Sequence, residues 1–271
     1  MGRATAEHFV QKGARVILCD LPGSNGLETE RELSQASSAY TKNAIFVPTN
    51  VTSEEQVADA LDAGEKVFGR PVDTVINCAG IGLACKTVSS KRGRGGNDDA
   101  NGNGNALEWR VHDFETFRKV LDTNVSGTFN VVRLAVERMV KARSDEAYRN
   151  GPEIPDGVIV NTASIAAYDG QIGQVAYAAS KGAIVGMTLP LARDLAEHGI
   201  RTNAIAPGLF RTPLLEGLPE EMQRELGSRV PFPSRLGDPF EFAMLVQSVV
   251  ENPMINGEVI RIDGGLRMPP K

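Results

Sequence analysis

Six short apolar runs, at residues 15–19, 44–47, 73–76, 157–162, 202–205 and 258–262, alternate with helical periodicity at 53–68, 114–141, 176–197 and 239–250. No other feature limits the fold as strongly. The run Gly157-Val158-Ile159-Val160-Asn161-Thr162 reads as a buried parallel strand. Repeated strand–helix alternation demands right-handed crossovers and a parallel sheet covered on both faces. The prediction is an α/β fold, a three-layer doubly wound parallel sheet, in one domain spanning 1–271. The helix at 53–68 starts from the cap Thr52-Ser53-Glu54-Glu55. The long helix at 114–141 carries Phe117, Val120, Leu121, Val125, Val132, Leu134 and Val140 among its apolar positions.

Two loop insertions break the pattern. Residues 91–105 are low-complexity, with an Arg-Gly run, two aspartates and repeated Asn-Gly, and read as a solvated surface loop rather than a nucleic-acid contact. Residues 142–156 contain Asn150-Gly151-Pro152 and Pro155-Asp156-Gly157 and read as an exposed loop entering the strand at 157.

The chemistry is concentrated after that strand. Ser164 sits at its carboxyl end, the edge where open α/β sheets bind ligands. After twelve intervening residues, Tyr177-Ala178-Ala179-Ser180-Lys181 places a phenol and an ammonium four apart on one helix face. At about 5 Å and an effective dielectric of about 20, their charges interact by roughly 3 kcal/mol. The expectation is a Tyr177 hydroxyl lowered by about two units towards neutrality, where a proton-transfer catalyst is useful. A hydroxyl that holds an oxygen, a tunable phenol and a cation suggest carbonyl–alcohol redox chemistry. The plain alternatives are a helix-face packing pair and a serine that caps the following turn.

Further positions fit a dinucleotide. Asp20 ends the strand at 15–19, where a carboxylate accepts ribose hydroxyls and repels an added phosphate, or simply starts a turn. The small residues in Asn77-Cys78-Ala79-Gly80 let a ligand approach backbone closely. Pro207-Gly208 leaves its strand in the same manner, with Thr212 placed to bond a carboxamide. Asn124 and Gly127 are poor helix formers inside an apolar helix. Asn124 is either part of a catalytic water chain or a satisfied core amide.

Composition excludes other classes. A formal charge of −5 and a pI near 5.4 argue against a nucleic-acid surface covering the molecule. Cys19, Cys78 and Cys85 form no paired framework, and two of them lie in apolar runs, so reduced, buried thiols in an intracellular protein are expected. His8, His112 and His198 have no metal-ligand spacing and read as surface or helix-end residues. No apolar stretch reads as a membrane span, and the first eight residues, which include Glu7, do not resemble a signal peptide.

Asn77-Cys78-Ala79-Gly80, Asn124, Ser164, Tyr177-Ala178-Ala179-Ser180-Lys181 and Pro207-Gly208 resemble the motifs of the short-chain dehydrogenase/reductase family, over nearly the whole chain outside the two insertions. The resemblance implies a Rossmann-like fold, NAD as cofactor and a catalytic set of Ser164, Tyr177, Lys181 and Asn124. It implies that Tyr177 exchanges the substrate proton, Ser164 holds the oxygen, Lys181 binds the nicotinamide ribose and Asn124 anchors a water relay. Cofactor contacts are expected at Asp20, Leu21, Asn50, Val51, Asn77, Cys78, Ala79, Gly80, Pro207, Gly208, Phe210 and Thr212. Substrate contacts are expected at Gln171, Leu209, Leu214 and Leu215, with Phe210 and Leu218 completing an apolar lid over an acyl-CoA or steroid. Arginines 211, 224, 229 and 235 could meet a CoA phosphate or solvent. Further implications are a homotetramer through the helices at 114–141 and 176–197, a mitochondrial location and, as an alternative role, a scaffold subunit of a tRNA-processing complex.

The chain departs from the family at three places. Gly2 matches only the last glycine of the family's Thr-Gly-xxx-Gly-x-Gly turn, with Arg3–Val10 as the helix after it, so the usual first strand and most of that turn are expected to be missing. That strand lies centrally, and its neighbours would stand roughly 10 Å apart. The sequence therefore reads as a truncated form that binds NAD weakly or not at all. Asn50 replaces a common adenine-contacting aspartate, and Arg211 replaces a glycine beside the lid.

Overall fold

The computed structural model describes residues 1–36, 43–92, 107–144, 156–212, 217 and 219–269. Leu214, Leu215, Leu218 and most of both insertions lie outside the described residues.

All six predicted strands form, and they pair in parallel as two separate sheets. Strands β1 (Val16–Asp20) and β2 (Ala44–Pro48) make one. The other runs β3 (Thr74–Asn77), β6 (Gly157–Thr162), β7 (Ile200–Pro207) and β8 (Val259–Ile262). No hydrogen-bonded pairing joins β1 to β3 among the described strands. The seam falls where the family's first strand was expected to be missing. Cys19 on β1 is exposed as a residue, yet desolvation still pushes its thiol up, so the thiol itself is screened from solvent.

Helices α1 (Gly2–Gln11), α2 (Gly26–Ala36) and α3 (Glu54–Phe68) surround the smaller sheet. The Ser53 side chain accepts from the Gln56 N–H at 3.3 Å, and Gly69 ends α3 in the left-handed region at φ 71°. His8 is buried rather than superficial. It bonds Gln247 at 2.5 Å and meets the rings of Phe9 and Phe240 edge-on, because α1 packs against the helix at 239–251.

The flanks of the first insertion form an unforeseen antiparallel hairpin, β4 (Val88–Arg92) with β5 (Leu107–Val111). The long helix expected at 114–141 is three pieces: α4 (Phe114–Leu121), a π-helical turn (Asp122–Ser126) and α5 (Gly127–Ser144). Residues 142–144, read as loop, complete α5. Helix α6 (Val175–Asp194) stops short of the predicted 197 and passes into a 3-10 turn at Ala196–His198. Among the described residues two helices follow β7, α7 (Glu220–Ser228) and α8 (Pro239–Glu251), the latter opened by an Asp238–Glu241 capping box.

One expectation about membranes is corrected. Helix α6 is long and apolar enough to cross one by length and composition. It instead packs against β7 and α4, with Ile184 and Thr188 in the interior. The main core lies on both faces of the four-stranded sheet. Ile159 and Ile200 meet Val132 and Met139 of α5 on one side; Val160 and Ile205 meet Phe242 and Val246 of α8 on the other.

Candidate active site

Strand β6 ends at Thr162, and Ser164 becomes the cap of a 3-10 turn at Ile165–Ala167, its Oγ accepting from the Ala166 N–H at 3.1 Å. The capping alternative is therefore realised, and it orients the hydroxyl. Ser164 also lies close enough to the phenol of Tyr177, the third residue of α6, to act on it in the lowering direction. One turn later the Lys181 ammonium, buried, donates to the Thr162 carbonyl at 2.7 Å and lies 5.7 Å from the centre of the Tyr177 ring. The structure thus brings Ser164, Tyr177 and Lys181 together at the carboxyl edge of β6.

Their electrostatics differ from the expectation. Burial pushes the Tyr177 hydroxyl up from its ordinary value, and only Ser164 pulls it back. Burial also drives Lys181 down to about 8. The i, i+4 spacing sets the ammonium beside the ring face and turns it to a backbone carbonyl. Desolvation is the largest cause of both shifts.

The side chain of Asn124 is a satisfied core amide. In the π turn its Oδ1 accepts from the Ile81 N–H at 2.8 Å, while Nδ2 donates to the Ile81 carbonyl and to Ser180 Oγ, both at 2.9 Å. Ser180 in turn donates to the Tyr177 carbonyl at 2.7 Å. One buried amide therefore pins the Asn77–Ile81 turn to the helix that carries the phenol. A Cβ on Gly80 would stand 3.2 Å from Asn124 Oδ1 and 3.6 Å from Lys181 Nζ, so a side chain there would crowd the Asn124 amide. Asn77 donates to its cross-strand neighbour Asn161 at 2.9 Å, and Cys78 accepts from the Thr162 hydroxyl at 3.6 Å. Ser180, Asn161 and the Thr162 carbonyl were not foreseen as contributors. Ser180 stood inside the quoted motif without an assigned role.

The dinucleotide positions are spread along the same strand ends. Asp20 and Leu21 are exposed after β1, with the Leu21 N–H donating to Asp20 Oδ1 at 2.7 Å. The amino end of α1 lies against β3's exit, since a Cβ on Gly2 would meet Cys78 Cβ at 3.2 Å. Gly208 approaches Asp263 so closely that a Cβ would come within 2.8 Å of its side chain. Asn50 is committed locally, its Oδ1 accepting from the Thr52 N–H and hydroxyl. Val51 packs on Gly127, and its carbonyl accepts from Asn130 at 2.9 Å. Thr212 is half-buried.

On the substrate side, Gln171 is half-buried in the loop before α6. Leu209 packs beside Ile165, Val230 and Leu266 and lines a cavity of about 140 Å³ that none of Ser164, Tyr177 and Lys181 borders. Phe210 is not free to form a lid, because its ring is buried against Gly237. Three of the four arginines considered for CoA are paired with carboxylates: Arg211 with Asp238, Arg229 with Glu225 and Arg235 with Glu241. Among the described residues no His, Cys, Asp and Glu cluster could hold a metal.

Residues 1–223 match the family described as short chain dehydrogenase. The chain belongs to that family. It is 50% identical to human 3-hydroxyacyl-CoA dehydrogenase type-2 over 270 residues, which is 100% of this chain and 92% of the relative. The 3-oxoacyl-[acyl-carrier-protein] reductase FabG of Thermotoga maritima is 32% identical over 268 residues, 98% and 93% of the two chains. The crystal structure of 3-hydroxyacyl-CoA dehydrogenase type-2 from Mycobacterium avium superposes with a TM-score of 0.80 at 36% identity, covering 99% of this chain and 92% of that one. The short-chain dehydrogenase family accounts for the doubly wound architecture, and the chain is an oxidoreductase of that class.

Proposed function

We propose that this chain interconverts a secondary alcohol and a ketone with NAD as cofactor, on substrates of the 3-hydroxyacyl-CoA or hydroxysteroid type. The observation that carries the proposal is the convergence of Ser164, Tyr177 and Lys181 at the carboxyl end of β6. The fit to a dinucleotide rests on the side-chain-free backbone at Gly80, the exposed carboxylate of Asp20 and the amino end of α1 beside Cys78. A bound nicotinamide supplies or accepts the hydride. Ser164 holds the substrate oxygen by hydrogen bonding. Tyr177, kept neutral by burial, donates the proton to the nascent alkoxide in reduction and takes it back in oxidation. Lys181 supports the ribose side, and Asn124 holds the 77–81 turn against α6. Asp20 disfavours a phosphorylated ribose by charge.

An acyl-CoA is favoured over a steroid by the names of relatives such as the human protein. Exposed apolar residues on α4–α6, among them Phe114, Phe129 and Leu189, suit assembly into a homotetramer, and a mitochondrial location belongs to the same reading. The seam between β1 and β3 favours a second reading, a non-catalytic scaffold with poor cofactor affinity. Titration with NADH, followed by reduction of acetoacetyl-CoA and of a ketosteroid, separates the two. Turnover that disappears in Tyr177→Phe supports the enzyme. Absence of NADH binding by the folded chain overturns it.

A further inference from the structure

We propose that Arg261 is a positioning residue: its grip on Asp169 holds the loop between Ser164 and Tyr177 and so sets the distance between those two hydroxyls. The inference rests on the reading of Ser164 and Tyr177 as the reacting pair.

Arg261 lies on β8, 92 residues from Asp169 in sequence. Its Nη2 donates to Asp169 Oδ2 at 2.7 Å and Nη1 reaches Oδ1 at 3.4 Å, a two-pronged contact that a lysine cannot make. The same guanidinium donates through Nε to Asp263 at 2.6 Å and through Nη2 to the Leu266 carbonyl at 2.9 Å. Its carbon stands 5.3 Å from the centre of the Tyr168 ring, on the same loop. One half-buried cation therefore ties together a sheet strand, the turn after it and the loop at 165–174.

That loop has few other ties. Its far end is held where the Gly173 carbonyl accepts from the Cys85 N–H at 2.8 Å. Asp169 also accepts from the Met268 N–H at 3.3 Å, and Leu266 and Met268 pack with Ile165, Val230 and Leu209. The turn at 263–268 thus forms a wall shared by the Ser164 side of the loop and the segment bearing Leu209. Arg267 reinforces it by bonding Asp263 at 3.2 Å. A loop pinned at Asp169 and Gly173 keeps Ser164 and Tyr177 in register, and small misplacements of reacting groups carry large rate penalties.

The test is a double-mutant cycle of Asp169→Asn and Arg261→Gln in the whole chain, read in two ways. In turnover, Asp169→Asn should lower kcat by about tenfold while KM for NADH stays within about twofold. The double variant should be no slower than Arg261→Gln alone, because coupled partners are non-additive. Independently of turnover, protein carrying 3-fluorotyrosine gives a Tyr177 fluorine line, assigned by its loss in Tyr177→Phe. That line should shift in both single variants and in Arg261→Lys, which keeps the charge without the fork and serves should the glutamine variant not fold. An unmoved Tyr177 line, or losses in kcat that add, overturns the proposal. If the parent chain reduces no ketone, the functional reading fails, and the fluorine spectrum alone decides for or against the clamp.

Discussion

The Lys181 ammonium donates to the carbonyl of Thr162 at 2.7 Å, so the helix bearing the phenol is fastened to the end of the strand preceding Ser164. The same ammonium is buried and lies 5.7 Å from the centre of the Tyr177 ring.

Replacing Tyr177 with phenylalanine removes the proton donor of the proposed mechanism and little else, since the ring keeps its packing. Activity should fall by about 10²–10⁴-fold. Thermal unfolding of the variant should match the parent within a few degrees, which a melting curve monitored by circular dichroism checks.

The two directions of reaction should separate with pH. Reduction needs the neutral phenol, which burial favours, so its rate should vary little near neutrality. Oxidation needs the deprotonated phenol and should keep rising on the alkaline side. Initial rates in both directions across a buffer series test this.

Lys181 makes a stability prediction of definite sign. Its folded value of about 8 lies below the ordinary 10.5, so the native state releases a proton that the unfolded chain still holds between those values. Stability from this group therefore increases as pH rises through that window and is penalised below it. Lys181→Met should relieve up to about 3 kcal/mol of that penalty at neutral pH, reduced by about 1–3 kcal/mol for the carbonyl left unpaired at Thr162. Its stability relative to the parent should decline towards pH 10 in urea titrations, while turnover falls at every pH.

Asn124→Ala takes the side-chain partner from both the Ile81 N–H and its carbonyl, and removes one of the two hydrogen bonds at the Ser180 hydroxyl, which keeps its donation to the Tyr177 carbonyl. A loss of about 2–4 kcal/mol in unfolding free energy is expected, together with weaker NADH binding as the 77–81 turn loosens. Calorimetry and fluorescence titration give the two numbers.

Asp20→Ala should relax cofactor choice. Removing the exposed carboxylate favours the extra ribose phosphate, and the ratio of NADPH to NADH efficiency should rise by about tenfold.

Much of the fold was legible because buried parallel strands leave continuous apolar runs and helices announce their caps. Ser53, and the motif carrying Ser164, Tyr177 and Lys181, are local signals at fixed spacing. The hairpin of β4 and β5 was not legible, since Val88-Ser89-Ser90-Lys91-Arg92 beside a low-complexity stretch has little apolar alternation to show. Nor was the π turn, where a single asparagine between two helical segments only marks poor helix propensity. His8 does stand in the last turn of α1, but its burial was not legible, because its partners, Gln247 and Phe240, come from the far end of the chain.

By itself the sequence determined the order of the six parallel strands, the family and the motif that carries Ser164, Tyr177 and Lys181, since these follow from residue type and short-range spacing. Only the tertiary structure decided the acidity of Tyr177 and Lys181, the commitment of Asn124 to Ile81 and Ser180, the burial of Phe210 and the grip of Arg261 on Asp169. Desolvation and long-range hydrogen bonding depend on what surrounds a side chain, and those neighbours are supplied by segments tens to hundreds of residues away.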